Sequence, residues 1–190
     1  MHRGLAIIKE EHRALAAVLH GLSFLVAEIS KGKMQPDLPL LRAIMAYIEG
    51  FPERLHHPKE DQYLFTALRR RTHEAEAILA ELEAEHRQGP EQVAVVQRAL
   101  DRLQTDGMAA FADFAAIANA YVDANFRHMA TEEGKILPLC MRVLTDEDWQ
   151  SIDTSFAAND DPMTGAPARA EFRELFTRIL SLAPAPLGFG

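Results

Sequence analysis

Leu5, Ile8, His12, Leu15, Leu19 and Leu22 recur at steps of three and four, which places them on one face of a helix ending near Gly32. His12 lies inside that apolar stripe. After Pro36 and Pro39 the same period predicts a second helix over about residues 40–71, bent near Pro52 and Pro58 because each proline removes a backbone donor. A third helix is expected from near His73 toward Leu103, with Gly89-Pro90 marking a break or kink. The fourth is expected over residues 108–142, interrupted only by Gly134 and Pro138. No strand alternation competes with these periods. The pattern predicts an all-α fold, an up-down four-helix bundle over residues 1–145, because short links make sequential helices antiparallel neighbours. Thr145 followed by Asp146, Glu147 and Asp148 reads as a cap and first turn of a helical extension packed on the bundle, residues 146–190. Within it residues 159–162 read as a turn, 168–182 as a last helix, and the Pro/Gly-rich end as a frayed tail.

The chemistry lies in a near-repeat. His56-His57-Pro58-Lys59-Glu60-Asp61-Gln62-Tyr63-Leu64-Phe65 aligns with His128-Met129-Ala130-Thr131-Glu132-Glu133-Gly134-Lys135-Ile136-Leu137, each reading His-x-x-x-Glu-acid-x-x-apolar-apolar. Residues four apart share a helix face, with Cβ atoms about 5–6 Å apart, so one imidazole and one carboxylate reach a common ion. A histidine followed four residues later by an acid is weak evidence alone: 8 histidines with 28 acids in 190 residues give roughly one chance match. The longer shared pattern is far more specific. Glu60 and Glu132 would point inward above Leu64 and Ile136, where a lone carboxylate is costly unless paired or metal-bound. A divalent cation supplies the missing charge. His57 and Asp61 repeat the spacing one position out of phase, about 100° around the helix, and read as an outer shell or as surface. His12 and His86 each sit on an apolar stripe, so that four helices contribute one inward histidine and two of them add a glutamate, the arrangement expected of a metal pair in a bundle core. His2, His20 and His73 are poorer candidates, and His73 in its polar stretch is assigned to the surface.

Composition narrows the classes. A net charge of −8 without a compensating basic patch argues against nucleic-acid binding, and the run Arg69-Arg70-Arg71 reads as a solvated helix end. Cys140 is the single cysteine, which excludes an internal disulfide and fits a reducing compartment. With no secretory h-region and no run of about 18 apolar residues, no membrane partner is expected and the location is expected to be cytoplasmic. Neither Cys140 nor any serine offers a nucleophile–base pair. A homodimer is left open.

These residues resemble the hemerythrin-like, His-His-Glu cation-binding proteins over about residues 5–144, on Glu11-His12-Arg13, the block from His56 to Phe65, Glu85-His86 and the block from His128 to Pro138. The residues preceding His56 and the later Asp148-Trp149 look like a bacterial branch of single-domain members. The resemblance implies two iron ions, oxo- or hydroxo-bridged, with His12, His56, His86 and His128 as terminal ligands and Glu60 and Glu132 bridging. Imidazole alone suits iron, zinc, copper or nickel, so iron follows from the resemblance. It implies binding or sensing of a small diatomic or peroxide ligand, oxygen, nitric oxide or peroxide, or iron handling under oxidative or nitrosative stress. The alternatives are a di-iron enzyme consuming peroxide or oxygen, with Tyr47, Tyr63 or Tyr121 beside the irons, and ferritin-like storage or oxidation built on Glu53-x-x-His56 and Glu83-x-x-His86. The chain departs from the oxygen carriers in one respect. They place two histidines four apart on the third helix, whereas the positions four from His86 are Leu82 and Pro90, so a fifth histidine is not evident. It departs from iron-centre repair proteins in lacking their cysteine-bearing N-terminal region.

Overall fold

Helix α1 (Arg3–Ser30) stops two residues before Gly32, whose φ of 69° ends the helix at low cost for a residue without a side chain. The computed structural model describes residues 2–158 together with Thr177. Asp37 then caps α2 (Leu38–Gly50), its carboxylate accepting from the Leu40 backbone N–H at 3.0 Å, so Pro39 falls in the first turn, where its missing donor costs nothing. The second rod continues as alternating π and α turns: π1 (Pro52–His56), α3 (His57–Lys59), π2 (Glu60–Phe65) and α4 (Thr66–Arg71). Helix α5 (Glu76–Asp106) runs through Pro90, so of the break or kink expected at Gly89-Pro90 the break is absent. After a 3₁₀ turn (Gly107–Ala110) come α6 (Phe111–Thr131), π3 (Glu132–Ile136) and α7 (Leu137–Val143). Thr145 and Asp148 exchange side-chain and backbone hydrogen bonds in a capping box that opens α8 (Asp146–Ala157). The turn, last helix and tail expected beyond residue 158 lie outside the described residues, Thr177 apart.

The four rods pack in a cycle, α1 against α2 and α6, and α5 against α2 and α6, so each sequence neighbour is a spatial neighbour, as an up-down bundle requires. Two apolar clusters fill it. One gathers Leu15–Ile29 of α1 with α2, the second half of α5 and most of α6; the other gathers Leu5 and Ile8 with Leu64–Leu68, Leu79, Leu82, Ile136–Cys140 and the inner face of α8. Trp149, Ile152 and Phe156 of α8 belong to the second cluster and are almost fully buried, so the extension closes that end of the bundle. Helix α1 is long and apolar enough to cross a membrane by length and composition, but half of that stretch is buried against its neighbours.

Between the two clusters lies a polar layer. His12 sits between Ile8 and Leu15, Glu60 between Phe51 and Leu64, His86 between Leu82 and Val93, and Glu132 between Val122 and Ile136.

Candidate metal centre

The layer collects four imidazoles and two carboxylates, all buried: His12, His56, His86, His128, Glu60 and Glu132. The His-x-x-x-Glu spacing puts each pair on one face, and in both blocks the glutamate opens a π segment, Glu60 in π2 and Glu132 in π3. Such local widenings recur at functional sites.

The geometry divides into two halves. In one, Nε2 of His12 and Nε2 of His56 lie 3.1 Å apart, with Glu60 Oε1 at 3.7 and 3.3 Å from them and Glu132 Oε2 at 3.4 Å from His12. In the other, Nε2 of His86 and Nε2 of His128 lie 3.0 Å apart, with Glu60 Oε2 at 3.7 Å from His86 and Glu132 Oε1 at 3.9 and 3.4 Å. Each glutamate thus turns one oxygen to each half.

Behind the rings stands a row of carboxylates. Nδ1 of His12 meets Glu133 at 3.0 Å, Nδ1 of His56 meets Glu11 at 2.7 Å, Nδ1 of His86 meets Asp61 at 2.8 Å and Nδ1 of His128 meets Glu85 at 2.7 Å. A carboxylate accepts a hydrogen bond from Nδ1–H, which fixes the tautomer and leaves Nε2 with a lone pair. Two such lone pairs at 3.0–3.1 Å repel rather than bond. The four oxygens of Glu60 and Glu132 accept no hydrogen bond at all. Acceptors facing acceptors in a buried layer are an arrangement that positive charge resolves, either a metal ion in each half or protons on the rings. The donor set therefore fits a pair of cations with mixed nitrogen and oxygen ligation.

Without metal, protons take that role. Burial pulls the His56 pKa down, but Glu60 and Glu11 outweigh it and raise it to about 9. Burial and Glu132 act likewise on His128, raised to about 9, and His12 is also raised, by Glu132, Glu133 and Glu60 against its burial. Against burial and repulsion from Glu60, the His128 and His12 rings hold Glu132 down at about 2. His56 and His12 hold Glu60 well below the usual carboxylate range, again against burial.

Of the two places expected for His57, an outer shell or the surface, its burial excludes the surface. It is 6% exposed, its ring stacks on His86 at 4.3 Å, and one of its ring nitrogens lies within 4.8 Å of those offered by His86 and His128. The inward arc of a bundle helix exceeds 100°, so two consecutive residues both face the interior, His56 toward one half and His57 toward the other. Burial lowers the His57 pKa more than Glu53 raises it, which keeps the ring neutral. Asp61, its expected partner, lies behind His86 instead. The acid that follows each bridging-position glutamate in the repeat, Asp61 and Glu133, backs a ring of the layer, whereas Glu11 and Glu85 carry no repeat of their own and are marked only by immediately preceding His12 and His86.

The remaining candidates sit elsewhere. His2 stacks on Trp149, His20 is exposed beside Phe126, and His73 is exposed. Glu83 pairs with Arg69 and Glu53 faces His57 rather than His56, so neither Glu-x-x-His motif adds a carboxylate to the layer. Arg71 pairs with Asp148. Tyr63 is half-buried beside the Leu64 cluster, and Tyr121 is buried with its hydroxyl unbonded, its pKa raised by that burial. Cys140 is buried and pushed up to about 12 by desolvation, unsuited to nucleophilic chemistry. A cavity of about 60 Å³ abuts the His86–His128 half, walled by Glu53, His57, Glu85, Gly89 and Asn125 among others.

Comparison with curated proteins and with solved structures gives no match. A family model, the hemerythrin HHE cation binding domain, matches residues 3–140, which contain every residue of the layer and its backing carboxylates. The chain therefore belongs to the hemerythrin HHE cation-binding family.

Proposed function

We propose that the chain is a non-haem di-iron protein that binds or senses a small ligand, oxygen, nitric oxide or peroxide, or handles iron under oxidative or nitrosative stress. The observation that carries this reading is the pairing of two facing Nε2 couples with two glutamates that turn one unbonded oxygen to each. His12 and His56 would hold one iron, His86 and His128 the other, and Glu60 and Glu132 would bridge them. Two carboxylates offset only half the charge of two divalent ions, so hydroxide or oxide would offset more of it and water would fill remaining positions. The ions would supply reversible redox and small-ligand affinity. The chain's own residues hold the rings in one tautomer, exclude bulk water through the two apolar clusters, and keep carboxylate charge low compared with a ferritin-like site. That balance favours binding and slow two-electron chemistry over attack on strong C–H bonds. A cytoplasmic location belongs to the same reading and is supported by the unpaired Cys140.

Anaerobic reconstitution with ferrous iron tests the reading. About two equivalents per chain are expected by metal analysis after desalting, with oxidation of the reduced protein by oxygen within minutes in stopped-flow absorption. A reproducible iron content near zero overturns it. Repeated rapid consumption of peroxide by the oxidised protein, lost in His128→Ala, would turn the reading from binding to enzymatic turnover.

A further inference from the structure

We infer that His57 supplies the fifth histidine of the centre, as third imidazole of the His86–His128 half, held in place by Glu53 lodged in the gap that Gly89 leaves in α5. The inference rests on the di-iron reading and assigns one ligand of the site that the histidine pattern on the third helix does not account for.

Three observations meet here. A ring nitrogen of His57 lies within 4.8 Å of the donor nitrogens of both His86 and His128, and the three residues are all buried. Each of the other four rings turns Nδ1 to a carboxylate and Nε2 inward, and His57 follows suit: its Nδ1 faces Glu53 Oε2 at 3.6 Å, leaving Nε2 as the donor. Neither that Nδ1 nor that Oε2 has another hydrogen-bond partner, and the two side chains are 8% and 5% exposed. Closing the gap satisfies both, and the same movement must swing the ring out of its 4.3 Å stack on His86 so that both in-plane lone pairs meet one ion. An ion drawn to Nε2 would promote it by making Nδ1–H a better donor.

Gly89 explains why Glu53 fits. A Cβ built at position 89 would fall 2.7 Å from the Glu53 carboxyl carbon, inside any van der Waals contact, so the helix accepts this carboxylate only where a residue has no side chain. In the sequence Gly89-Pro90 looked like a helix break, yet α5 continues through it. The glycine makes room for the carboxylate behind His57. The third helix offers Leu82 and Pro90 four residues either side of His86, and neither is a ligand. The second rod fills the role from one residue beyond His56.

Cobalt(II) is the probe. In the cobalt-loaded wild-type chain, each ligating ring should give one paramagnetically shifted, solvent-exchangeable N–H proton resonance, about five in all with His57 bound and about four without it. His57→Ala should lose one of them and weaken one of the two ions by about 10-fold or more in a chelator competition, the other holding its affinity. Gly89→Ala, which keeps His57 and crowds Glu53 most closely, should weaken the same ion while the unfolding of the metal-free chain stays cooperative. Four resonances in the wild type, or His57→Ala with both affinities unchanged, overturns the inference and leaves the di-iron reading standing. A wild-type chain that binds no cobalt overturns both. The wild-type count decides the matter even where a variant fails to fold.

Discussion

The two halves of the metal layer grow from the same His-x-x-x-Glu block and yet differ in what surrounds them. The block on the second rod reads His56-His57, the block on the fourth reads His128-Met129. His57 turns toward His86 and His128, whereas Met129 joins the apolar cluster on the other side. The His12–His56 half is flanked by the rings of Phe51 and Phe156, at centroid distances of 6.4 and 6.1 Å from His56, and is backed by Glu11, 2% exposed, and by Glu133, 44% exposed. The other half is backed by half-exposed Asp61 and exposed Glu85 and adjoins the small cavity. The difference teaches that a symmetric pair of motifs does not make two equal sites. If His57 ligates, the His86–His128 ion is the more saturated, and a small ligand should find its position at the His12–His56 ion.

The largest expected effect removes what the halves share. Glu132 offers Oε2 to His12 and Oε1 to His128, both at 3.4 Å, so Glu132→Ala should empty both halves and abolish the metal-dependent rise in unfolding midpoint. At a free metal concentration about 100-fold above Kd that rise reflects about 2.7 kcal/mol for each ion bound. His12→Ala should empty only its own half, and His73→Ala, on the exposed segment before α5, should change nothing. Metal analysis and thermal unfolding with and without iron check all three. Loss of both ions in His12→Ala would show that the halves fill as one unit, and the comparison would then have no functional meaning.

A smaller effect appears in the metal-free protein, where protons stand in for ions in both halves alike. His56 and His128 have folded pKa values of about 9, above the unfolded value of about 6.5. Their contribution to stability is fully present below about pH 6.5 and is lost as pH rises through about 9. Glu132, lowered to about 2, contributes stability above about pH 4.5 that is lost as pH falls through about 2. Urea unfolding of chelator-treated protein should therefore weaken between pH 6.5 and 9, and saturating metal should flatten that slope, since bound ions displace the same protons. A slope unchanged by His56→Gln and His128→Gln together would mean that other groups titrate.

Much of this was legible in the sequence because apolar spacing of three and four is dictated by the helix itself, and His12, Glu60, His86 and Glu132 each interrupt an apolar stripe that continues on both sides. The capping box at Thr145 was legible for a similar reason, since it is local. Two features were not. Spacing places His57 in an outer shell or at the surface because 100° of rotation separates it from His56, and it does not reveal burial where a helix's two neighbours both contribute to a central layer. Gly89-Pro90 was read as punctuation because local rules describe what glycine and proline do to their own helix, and the reason for Gly89 lies on another rod, in the Glu53 carboxylate. Long-range fit leaves no period in one chain.

The smallest effect concerns the carboxylates behind the rings. Glu11 is 2% exposed and Glu133 is 44% exposed at its side chain, though both back the same half, at 2.7 Å from His56 and 3.0 Å from His12. Replacing either with glutamine keeps an acceptor oxygen but removes the charge that makes the imidazole a stronger donor to an ion. At Glu133 water reaches the vacated lone pairs and restores much of the interaction, and the field of the lost charge is screened. At Glu11 no water takes its place, and the amide must also find a partner for its two N–H groups in a buried site. Glu11→Gln should therefore weaken the His12–His56 ion by about 10- to 100-fold, and Glu133→Gln by less than about 5-fold. Chelator competition on the cobalt-loaded chain, with the His86–His128 ion as internal reference, measures both. Equal losses for the two variants would show that the backing carboxylates act by geometry alone. A loss confined to Glu11→Gln would make burial, rather than the mere presence of an acid beside Nδ1, the quantity that sets how tightly this half holds its ion.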